Sequence, residues 1–206
     1  MGRALATWLL IATAGAQGMT PRDVVQSAVA RVVQTIEAAA SRPEPVRAGR
    51  PQAPGSRAEI RRIAAELFDF GEVGRRALGR HWAGRSPEEQ TEFIALFTDL
   101  LERAYVGKIE AYSGEQIVYT NEIVDGDYAV VRSRVNTRRG AEVALDYRLH
   151  RTEGGWKVYD VLIDGVSFVS TYRSEFNRII QLHSWNELMD RLRQKQIPAR
   201  TVTDRS

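Results

Sequence analysis

Apolar side chains recur along this chain with two different periods. In the first half they return every three or four positions, from about Ile117 they alternate with polar residues, and after Gly165 the longer spacing comes back. A period of about 3.6 indicates amphipathic helices, and a period of two indicates strands with one buried face. Helices, then strands, then helices predict an α+β protein whose helices cover one face of a curled, four-stranded antiparallel sheet.

Helix starts are marked at four places by residues that cap free backbone N–H groups. Thr20 is followed by a proline and an aspartate, and Ser56, Ser86 and Ser184 are each followed by a glutamate three positions later. In the three serine starts the hydroxyl is expected to accept a hydrogen bond from the first turn, and the glutamate one from the cap. Thr20 is expected to be a cap, with Asp23 near the positive end of the helix dipole. We therefore expect a helix beside each of these residues. A further short helix is predicted through Phe70, Val73 and Leu78.

Two broad apolar stripes at helical spacing follow Ser86 and Gly165. They contain Phe93, Leu96, Phe97, Leu100, Leu101, Ala104 and Tyr105 in the first helix, and Phe168, Tyr172, Phe176, Ile179 and Ile180 in the second. Such stripes are typical of helices that pack on a core. From periodicity alone, the bulky side chains simply fill one another.

Three turn dipeptides divide the alternating stretch into four predicted strands. Asp-Gly at 125 and 126 is typical of a tight hairpin, because both central residues of that turn need a positive φ. Arg139-Gly140 and Gly154-Gly155 mark the other two turns. The predicted strands cover about 117–124, 127–136, 141–151 and 155–164. In the third, one face carries Val143, Leu145, Tyr147 and Leu149.

Strict alternation also predicts how the fourth strand faces. It places Asp160 and Asp164 on one face with Trp156 and Leu162. The opposite face then carries Tyr159, Val161 and Ile163. Because only one face of such a sheet packs against the helices, the aspartates and the apolar group are expected on different sides.

The two ends and one internal stretch differ in composition from the rest. Residues 1–16 combine a basic start, a run of about nine apolar residues and a small-residue site at Ala16, which indicates a cleaved signal peptide. Residues 41–55 are rich in proline and arginine and predict a mobile loop, and residues 197–206 predict a flexible tail. Residues 17–196 are expected to form a single domain. An exported chain without cysteine suits a bacterial periplasm.

Charge and residue types exclude several functions. The formal net charge is only +3, no run of five Lys or Arg occurs, and no nucleic-acid partner is expected. His81, His150 and His183 lack a second ligand at metal-binding spacing, so no metal is predicted. No catalytic nucleophile motif is present either. The remaining candidates, for an aspartate base in an apolar pocket, are Asp69, Asp146, Asp160 and Asp164; a solvated or salt-bridged role is the alternative for each.

Two blocks of motifs add a family resemblance. The first block is Leu67-Phe68-Asp69-Phe70, Ala77-Leu78-Gly79-Arg80-His81-Trp82 and Ser86-Pro87-Glu88-Glu89-Gln90. The second is Trp156-Lys157-Val158-Tyr159-Asp160-Val161 with Gly165-Val166-Ser167. Together they resemble the toluene-tolerance family of periplasmic phospholipid-binding proteins, the MlaC family, over about residues 21–196.

The resemblance implies a carrier rather than an enzyme. In that family an apolar cleft between sheet and helices takes the acyl chains and leaves the head group near the surface. Phospholipid is the cargo, no cofactor is needed, and the expected partners are an outer-membrane lipoprotein complex and an inner-membrane ABC-transporter complex of the MCE type. A monomer is expected. A hopanoid cargo, a small pocket enzyme with an aspartate base, and an adaptor with a filled core stay open as alternatives.

The resemblance also implies which residues bind lipid. They are Phe70, Val73 and Leu78 near the mouth, Phe97, Leu101 and Tyr105 on the helical wall, Val143, Leu145, Tyr147, Val161 and Ile163 on the sheet, and Val166, Phe168 and Tyr172 on the other side. The chain departs from the family in its loop over 41–55 and in a basic stretch with Arg132, Arg134, Arg138 and Arg139. Those arginines suit phosphate head groups or acidic partners, and a solvated surface is the alternative.

Overall fold

The computed structural model describes residues 18–41, 54–137 and 140–198. Its helices are α1 Pro21–Ala40, α2 Pro54–Leu67, α3 Phe70–Leu78, α4 Pro87–Glu110, α5 Phe168–Leu182 and α6 Trp185–Arg193, with a 3₁₀ turn Gly79–His81 after α3. Its strands are β1 Gln116–Asp125, β2 Tyr128–Asn136, β3 Glu142–Thr152, β4 Gly155–Ile163 and β5 Val166–Ser167. Within these ranges no helix combines the length and apolar character needed to cross a membrane.

Three of the four predicted helix caps are confirmed. The Thr20 hydroxyl accepts from the N–H of Asp23 at 3.1 Å, and the Asp23 carboxylate accepts from the N–H of Thr20. Ser86 and Glu89 form the same reciprocal pair at the start of α4, at 3.3 and 2.9 Å. Ser184 caps α6 through its hydroxyl. These starts depend on three or four neighbouring residues, which is why the sequence predicts them.

The cap predicted at Ser56 is wrong. Helix α2 begins two residues earlier, at Pro54, and Ser56 is buried in its first turn at 7% exposure. Proline favours the first helical position because its φ is preset and it has no N–H to leave unpaired there. Pro54 and Gly55 therefore belong to the helix and not to the predicted loop.

Some sequence predictions concern residues outside the described ranges. These are the signal peptide over 1–16, positions 42–53 of the loop, Arg138 and Arg139, and the tail from residue 199. They stay predictions. The tail begins later than predicted, because Ile197 packs into the helical core at 3% exposure.

Replacing Ser86 with alanine is expected to lower the free energy of unfolding by about 1 kcal/mol, since the first turn of α4 loses its side-chain acceptor. Chemical denaturation measures the change. Ser174→Ala is the control, because the Ser174 hydroxyl only bonds a helix carbonyl on the exposed side of α5. An equally small change in both variants would show that the capping pair adds nothing.

The strands form one antiparallel meander in the order β1-β2-β3-β4-β5. The hairpin between β1 and β2 lies where the sequence predicts it, but its two-residue loop is Gly126-Asp127, because Asp125 still pairs with Tyr128. Only Gly126 has a positive φ, +56°, so the predicted turn with positive φ at both Asp125 and Gly126 is wrong. The sheet has five strands and not the predicted four, since β5 pairs with the end of β4. The extra pairing forms because Asp164 and Gly165 both have positive φ values and reverse the chain within two residues.

A bulge in β4 changes the facing that alternation predicts. The register between β3 and β4 passes over Tyr159, which has no opposite residue in β3. One additional residue shifts the side-chain phase by one position. Trp156, at 6% exposure, therefore lies on the core face with Val161, whereas Tyr159 and Asp160 lie on the outer face. The prediction that grouped Trp156 with Asp160, and Tyr159 with Val161, is wrong.

The core consists of two apolar clusters. A helical cluster lies among α3, α4, α5 and α6, and a sheet cluster lies between β2, β3, β4 and the helices α1 and α2. In the helical cluster Phe176 meets the rings of Phe93 and Phe97 edge to face, at centroid distances of 5.5 and 5.1 Å. Aromatic rings favour this edge-to-face arrangement, because the positive edge of one ring meets the negative face of the other. Phe68 and Val161 pack against both clusters, so the clusters meet there.

Candidate functional site

The inner face of the sheet is apolar, and its burial decreases towards one end. In β3, Leu149 and Tyr147 are 0% and 6% exposed, whereas Leu145 and Val143 are half-buried. The neighbouring strands show the same gradient, from Ala129 and Val131 to Val135 in β2, and from Val158 to Val161 and Ile163 in β4. The inner side chains are therefore more deeply buried towards the β3–β4 turn and more exposed at the opposite end. The open end is defined as Val135, Val143, Leu145 and Ile163.

Two helices and an edge strand continue the apolar wall. Val29 and Val32 of α1 and Tyr119 of β1 pack against the sheet cluster. On the other side Tyr105 of α4 packs edge-on against Phe168 of α5, with ring centroids 6.5 Å apart. Strand β4 joins the two sides, because one of its inner side chains packs against both clusters. Together these elements form an apolar wall between sheet and helices, which is called the cleft and is the candidate lipid site.

The predicted lipid-binding residues fall into two groups. Val143, Leu145, Tyr147, Val161, Ile163 and Val166 belong to the sheet, at its open end or beside it. The helical group packs in or against the helical cluster and comprises Phe70, Val73, Leu78, Phe97, Leu101, Tyr105, Phe168 and Tyr172. The two groups come together where β4 contacts α5. Their contact with lipid stays a prediction.

Val73 and Leu78 lie in the helical core and not near a mouth. They are 0% and 2% exposed, and the apolar side of α6 joins the same cluster through Leu188. Phe70 is half-buried and stacks on Phe68, with centroids 5.7 Å apart. Val73 and Leu78 are therefore covered by helix packing in this structure, and their contact with lipid stays a prediction.

Tyrosine hydroxyls are the main polar groups of the wall. Burial raises the pKa of Tyr119 to about 12, and its hydroxyl has no hydrogen-bond partner among the described residues. Burial also raises the pKa values of Tyr105 and Tyr147 well above the ordinary phenol value. Tyr172 adds to the rise at Tyr105, and a bond with Ser133 partly offsets it at Tyr147. These phenols stay neutral at physiological pH, so they place no charge in the cleft.

Asp160, one of the four aspartates considered as a base, is a structural tie on the outer side of β4. It is 3% exposed and accepts from the Ser167 hydroxyl at 2.7 Å and from the N–H of Val169 at 3.2 Å. Arg148 lies 3.4 Å from the same carboxylate. The side chain thus joins β4 to the start of α5.

The other three aspartates also have partners away from the cleft. Asp69 caps α3 and lies 3.0 Å from His150 Nε2. Asp146 faces Arg132 at 3.8 Å. Asp164 accepts from a backbone N–H of β3 at 2.9 Å. The salt-bridged or hydrogen-bonded alternative therefore fits all four better than a catalytic one.

Metal ligands and the basic stretch do not add to this site. In the described ranges no three His, Cys, Asp or Glu side chains are grouped to hold a metal ion. Arg132 and Arg134 project from the outer face of β2, with side chains 51% and 47% exposed. They lie near Asp146 and Glu142 at 3.8 and 3.7 Å. Both arginines therefore belong to a solvated surface rather than to the cleft.

Phe68, Val32 and Tyr119 also pack against the sheet cluster, although the sequence did not predict them as site residues. Each had a signal: Phe68 lies in the first family motif, Val32 lies on the apolar stripe of α1, and Tyr119 is in phase with Ile117 along β1. The sequence gives no signal that α1 and β1 pack against the same cluster. The sequence therefore identifies these residues as apolar or core positions, but not as neighbours of one another.

Two surface cavities lie outside the cleft. One of about 520 Å³ lies at the start of α1 and includes Thr20 and Trp156 in its lining. Another of about 510 Å³ lies between α3 and α5 on the outer side of β3 and β4. Neither is lined by a predicted lipid-binding residue. The cleft is therefore defined by its apolar lining and not by either of these cavities.

Fold and lining together define a class of protein: an α+β domain with a curled antiparallel sheet, helices over its inner face and an apolar wall between them. The sequence profile of the family described as MlaC protein matches residues 28–194, from within α1 to the end of α6. The chain belongs to this family, as the motif resemblance predicted.

Two relatives share part of their sequence with this chain. The intermembrane phospholipid transport system binding protein MlaC of Haemophilus influenzae is 27% identical over 127 residues, which are 59% of this chain and 59% of that protein. The toluene tolerance protein ttg2D of Pseudomonas putida is 24% identical over 124 residues, or 59% of this chain and 58% of that protein. The matches therefore span less than two thirds of either relative.

A solved structure shows the same fold over a longer range. The phospholipid-binding protein from Ralstonia solanacearum, in complex with a phospholipid, superimposes with a TM-score of 0.69 and 28% sequence identity. The alignment covers 84% of this chain and 94% of that chain. The likeness confirms the predicted α+β class.

Proposed function

We propose that this protein binds a phospholipid by its acyl chains, in the cleft between sheet and helices, and carries it through water. The observation that carries the proposal is the Ralstonia relative, whose structure of the same fold is in complex with a phospholipid. The apolar inner face and the neutral tyrosines support the same use of the cleft here.

The hydrophobic effect supplies the binding energy. Each buried methylene contributes roughly 0.8 kcal/mol, so two long acyl chains contribute far more than is needed to hold a lipid out of water. The wall then needs only shape and apolar character. Entry requires side chains at the open end to move apart, and Leu145 and Val143 are the natural place because they are already half-buried.

The polar part of the lipid meets neutral donors. Tyr119 has a buried hydroxyl without a partner among the described residues, and burial keeps this phenol protonated. A protonated phenol donates to an ester carbonyl without bringing a charge into the cleft. Tyr119 therefore suits the glycerol ester region better than the charged phosphate.

Transport of this kind involves no covalent chemistry. An enzyme with an aspartate base is less well supported, because Asp160 and the other three candidates have structural partners outside the cleft. A hopanoid or other polycyclic lipid fits the same apolar lining and is the second candidate cargo.

In the cell we propose a periplasmic carrier, acting as a monomer between an outer-membrane lipoprotein complex and an inner-membrane ABC-transporter complex. The signal-like sequence of residues 1–16 supports export. The name of the Haemophilus relative, an intermembrane transport binding protein, supports passage between two membranes.

The proposal is tested by the lipids that the purified protein carries. We expect mass spectrometry of extracts from the bacterially produced protein to find stoichiometric phospholipid, and the delipidated protein to extract fluorescent phospholipid from vesicles. A polycyclic lipid in its place would favour the hopanoid alternative. Protein that carries no lipid and takes none from vesicles would contradict the proposal and favour the filled-core adaptor.

A further inference from the structure

The cavity on the outer side of β3 and β4 has a strongly basic lining. It measures about 510 Å³ and opens between α3 with its 3₁₀ turn, the two strands and the first half of α5. Trp82 and Tyr159 contribute aromatic walls, and Asp160 is the acidic residue in the lining. Its arginines are Arg75, Arg76, Arg80, Arg148 and Arg173. This group is called the basic pocket.

The positive charge of the basic pocket is only partly compensated. Glu72 pairs with Arg75 and with Arg76, at 2.6 and 2.7 Å. Asp160 lies 3.4 Å from Arg148, and it is shared with donors of the β4–α5 connection. Five guanidinium groups and two carboxylates leave three positive charges.

Arg80 and Arg173 have neutral partners. Arg80 donates to the side-chain oxygen of Asn177 at 2.5 and 3.1 Å, and Arg173 donates to the Ser170 hydroxyl at 3.3 Å. Among the described residues neither forms an ion pair within 4.0 Å. Both can exchange a neutral acceptor for a carboxylate, which makes a shorter and stronger bond.

The fold holds the guanidinium groups in place. The Arg76 guanidinium lies over the Tyr159 ring, 4.0 Å from its centroid, where a cation is favoured. Gly79 has a φ of +56°, and a β-carbon there would lie 3.2 Å from Cδ of Arg173. Glycine thus provides both the turn and the space for Arg173. Side chains held in this way lose less freedom when a ligand binds.

We propose that the basic pocket is a docking surface for an acidic segment of a partner protein. Its charges come from α3, the 3₁₀ turn, β3 and α5, so they are spread along an open surface. Several carboxylates along a chain fit that spread better than one small anion does. The pocket lies on the opposite side of the sheet from the open end, so docking leaves the cleft free. This inference goes beyond lipid binding and does not depend on it.

Fluorescence anisotropy tests the docking surface with a short fluorescein-labelled peptide of alternating glutamate and glycine. We expect Arg80→Gln with Arg173→Gln to weaken peptide binding about tenfold, because two charge-assisted contacts are lost. Arg61→Gln with Arg103→Gln is the matched control, with the same change in net charge on α2 and α4. Binding to the wild-type protein should also weaken as salt is added.

Four outcomes would overturn the docking surface. If both double variants bind the peptide equally weakly, the binding depends on net charge and not on the basic pocket. If the wild-type protein does not bind the peptide at all, the proposal is wrong. Displacement of the peptide by inorganic phosphate at constant ionic strength would indicate a small-anion site. If the Arg80→Gln, Arg173→Gln variant loses binding to phosphatidylglycerol vesicles but still binds the peptide normally, the pocket is a membrane-binding surface.

Lipid content separates this test from the proposed function. Extracts from the wild-type protein and both double variants should contain equal phospholipid, because no substituted residue lies in the cleft. Circular dichroism of the same preparations checks that all three proteins are folded. A failure of docking with normal lipid content then concerns the basic pocket alone.

Discussion

Leu145→Glu is expected to reduce co-purified phospholipid by about tenfold or more, because an unpaired charge on an apolar wall costs several kcal/mol when lipid displaces its water. Leu145 is a suitable position because it is half-buried at the open end and packs against the sheet cluster. Without lipid its carboxylate can stay hydrated, so the fold should survive. The same change at Val161 lies deeper, where the two clusters meet, and is expected to lower stability as well.

Val118→Glu is the matched control for that experiment. Val118 is 42% exposed in β1, beside the inward-facing Tyr119, and the substitution adds the same charge outside the cleft. Mass spectrometry of extracted lipid and thermal unfolding are measured on both variants. A folded Leu145→Glu protein that keeps the wild-type amount of lipid would show that the open end is not part of the lipid-binding wall.

Asp160→Ala is expected to lower the free energy of unfolding by about 3 kcal/mol, because it removes a buried carboxylate that accepts from three donors. The donors are the N–H of Val169, the hydroxyl of Ser167 and the guanidinium of Arg148. The carboxylate side chain is only 4% exposed, so its bonds are made largely inside the protein. Asp160→Asn keeps one oxygen acceptor and should recover part of the loss.

Denaturation with urea measures the effect, and Asp127→Ala is its control. The Asp127 side chain is 79% exposed and 3.7 Å from Arg151, so its removal should change stability by about 0.5 kcal/mol or less. If the Asp160→Ala protein is as stable as this control, Asp160 has no structural role. That result would reopen the possibility of a catalytic aspartate.

Elements that depend on neighbouring residues could be predicted from the sequence. Each of the four long strands begins and ends within one residue of its predicted limit. The caps Thr20 and Ser86 also lie where the sequence places them, and the first hairpin loop is displaced by only one residue, to Gly126-Asp127. In these cases turn chemistry and side-chain period act over a few residues, so no distant contact is needed.

The facing of β4 could not be predicted, because its bulge depends on distant residues. Tyr159 lies edge-on to His150 and Tyr128 and carries the Arg76 guanidinium on its ring. The alternation of apolar and polar residues does not indicate that β4 contains an additional, unpaired residue. Yet that residue places Trp156 in the core and Asp160 at the start of α5.

The site could be predicted only in part. Leu145 and Val143 were assigned to the wall by alternation and family, and they do lie on the inner face of the sheet. Val73 and Leu78 were assigned to a mouth but lie in the helical core. Tyr119 was not assigned, since a tyrosine on an edge strand looks the same in sequence whether it faces lipid or solvent.

The sequence by itself determined the α+β class, three of the four capped helix starts, the positions of the hairpins and the family, because these depend on local chemistry and on motifs within short segments. Only the tertiary structure decided which end of the apolar face is accessible and which carboxylates are structural ties. It also brought Arg75 and Arg173, almost a hundred positions apart, into one basic pocket. Accessibility and charge clustering arise where elements meet, and no local pattern in the chain records which elements those will be.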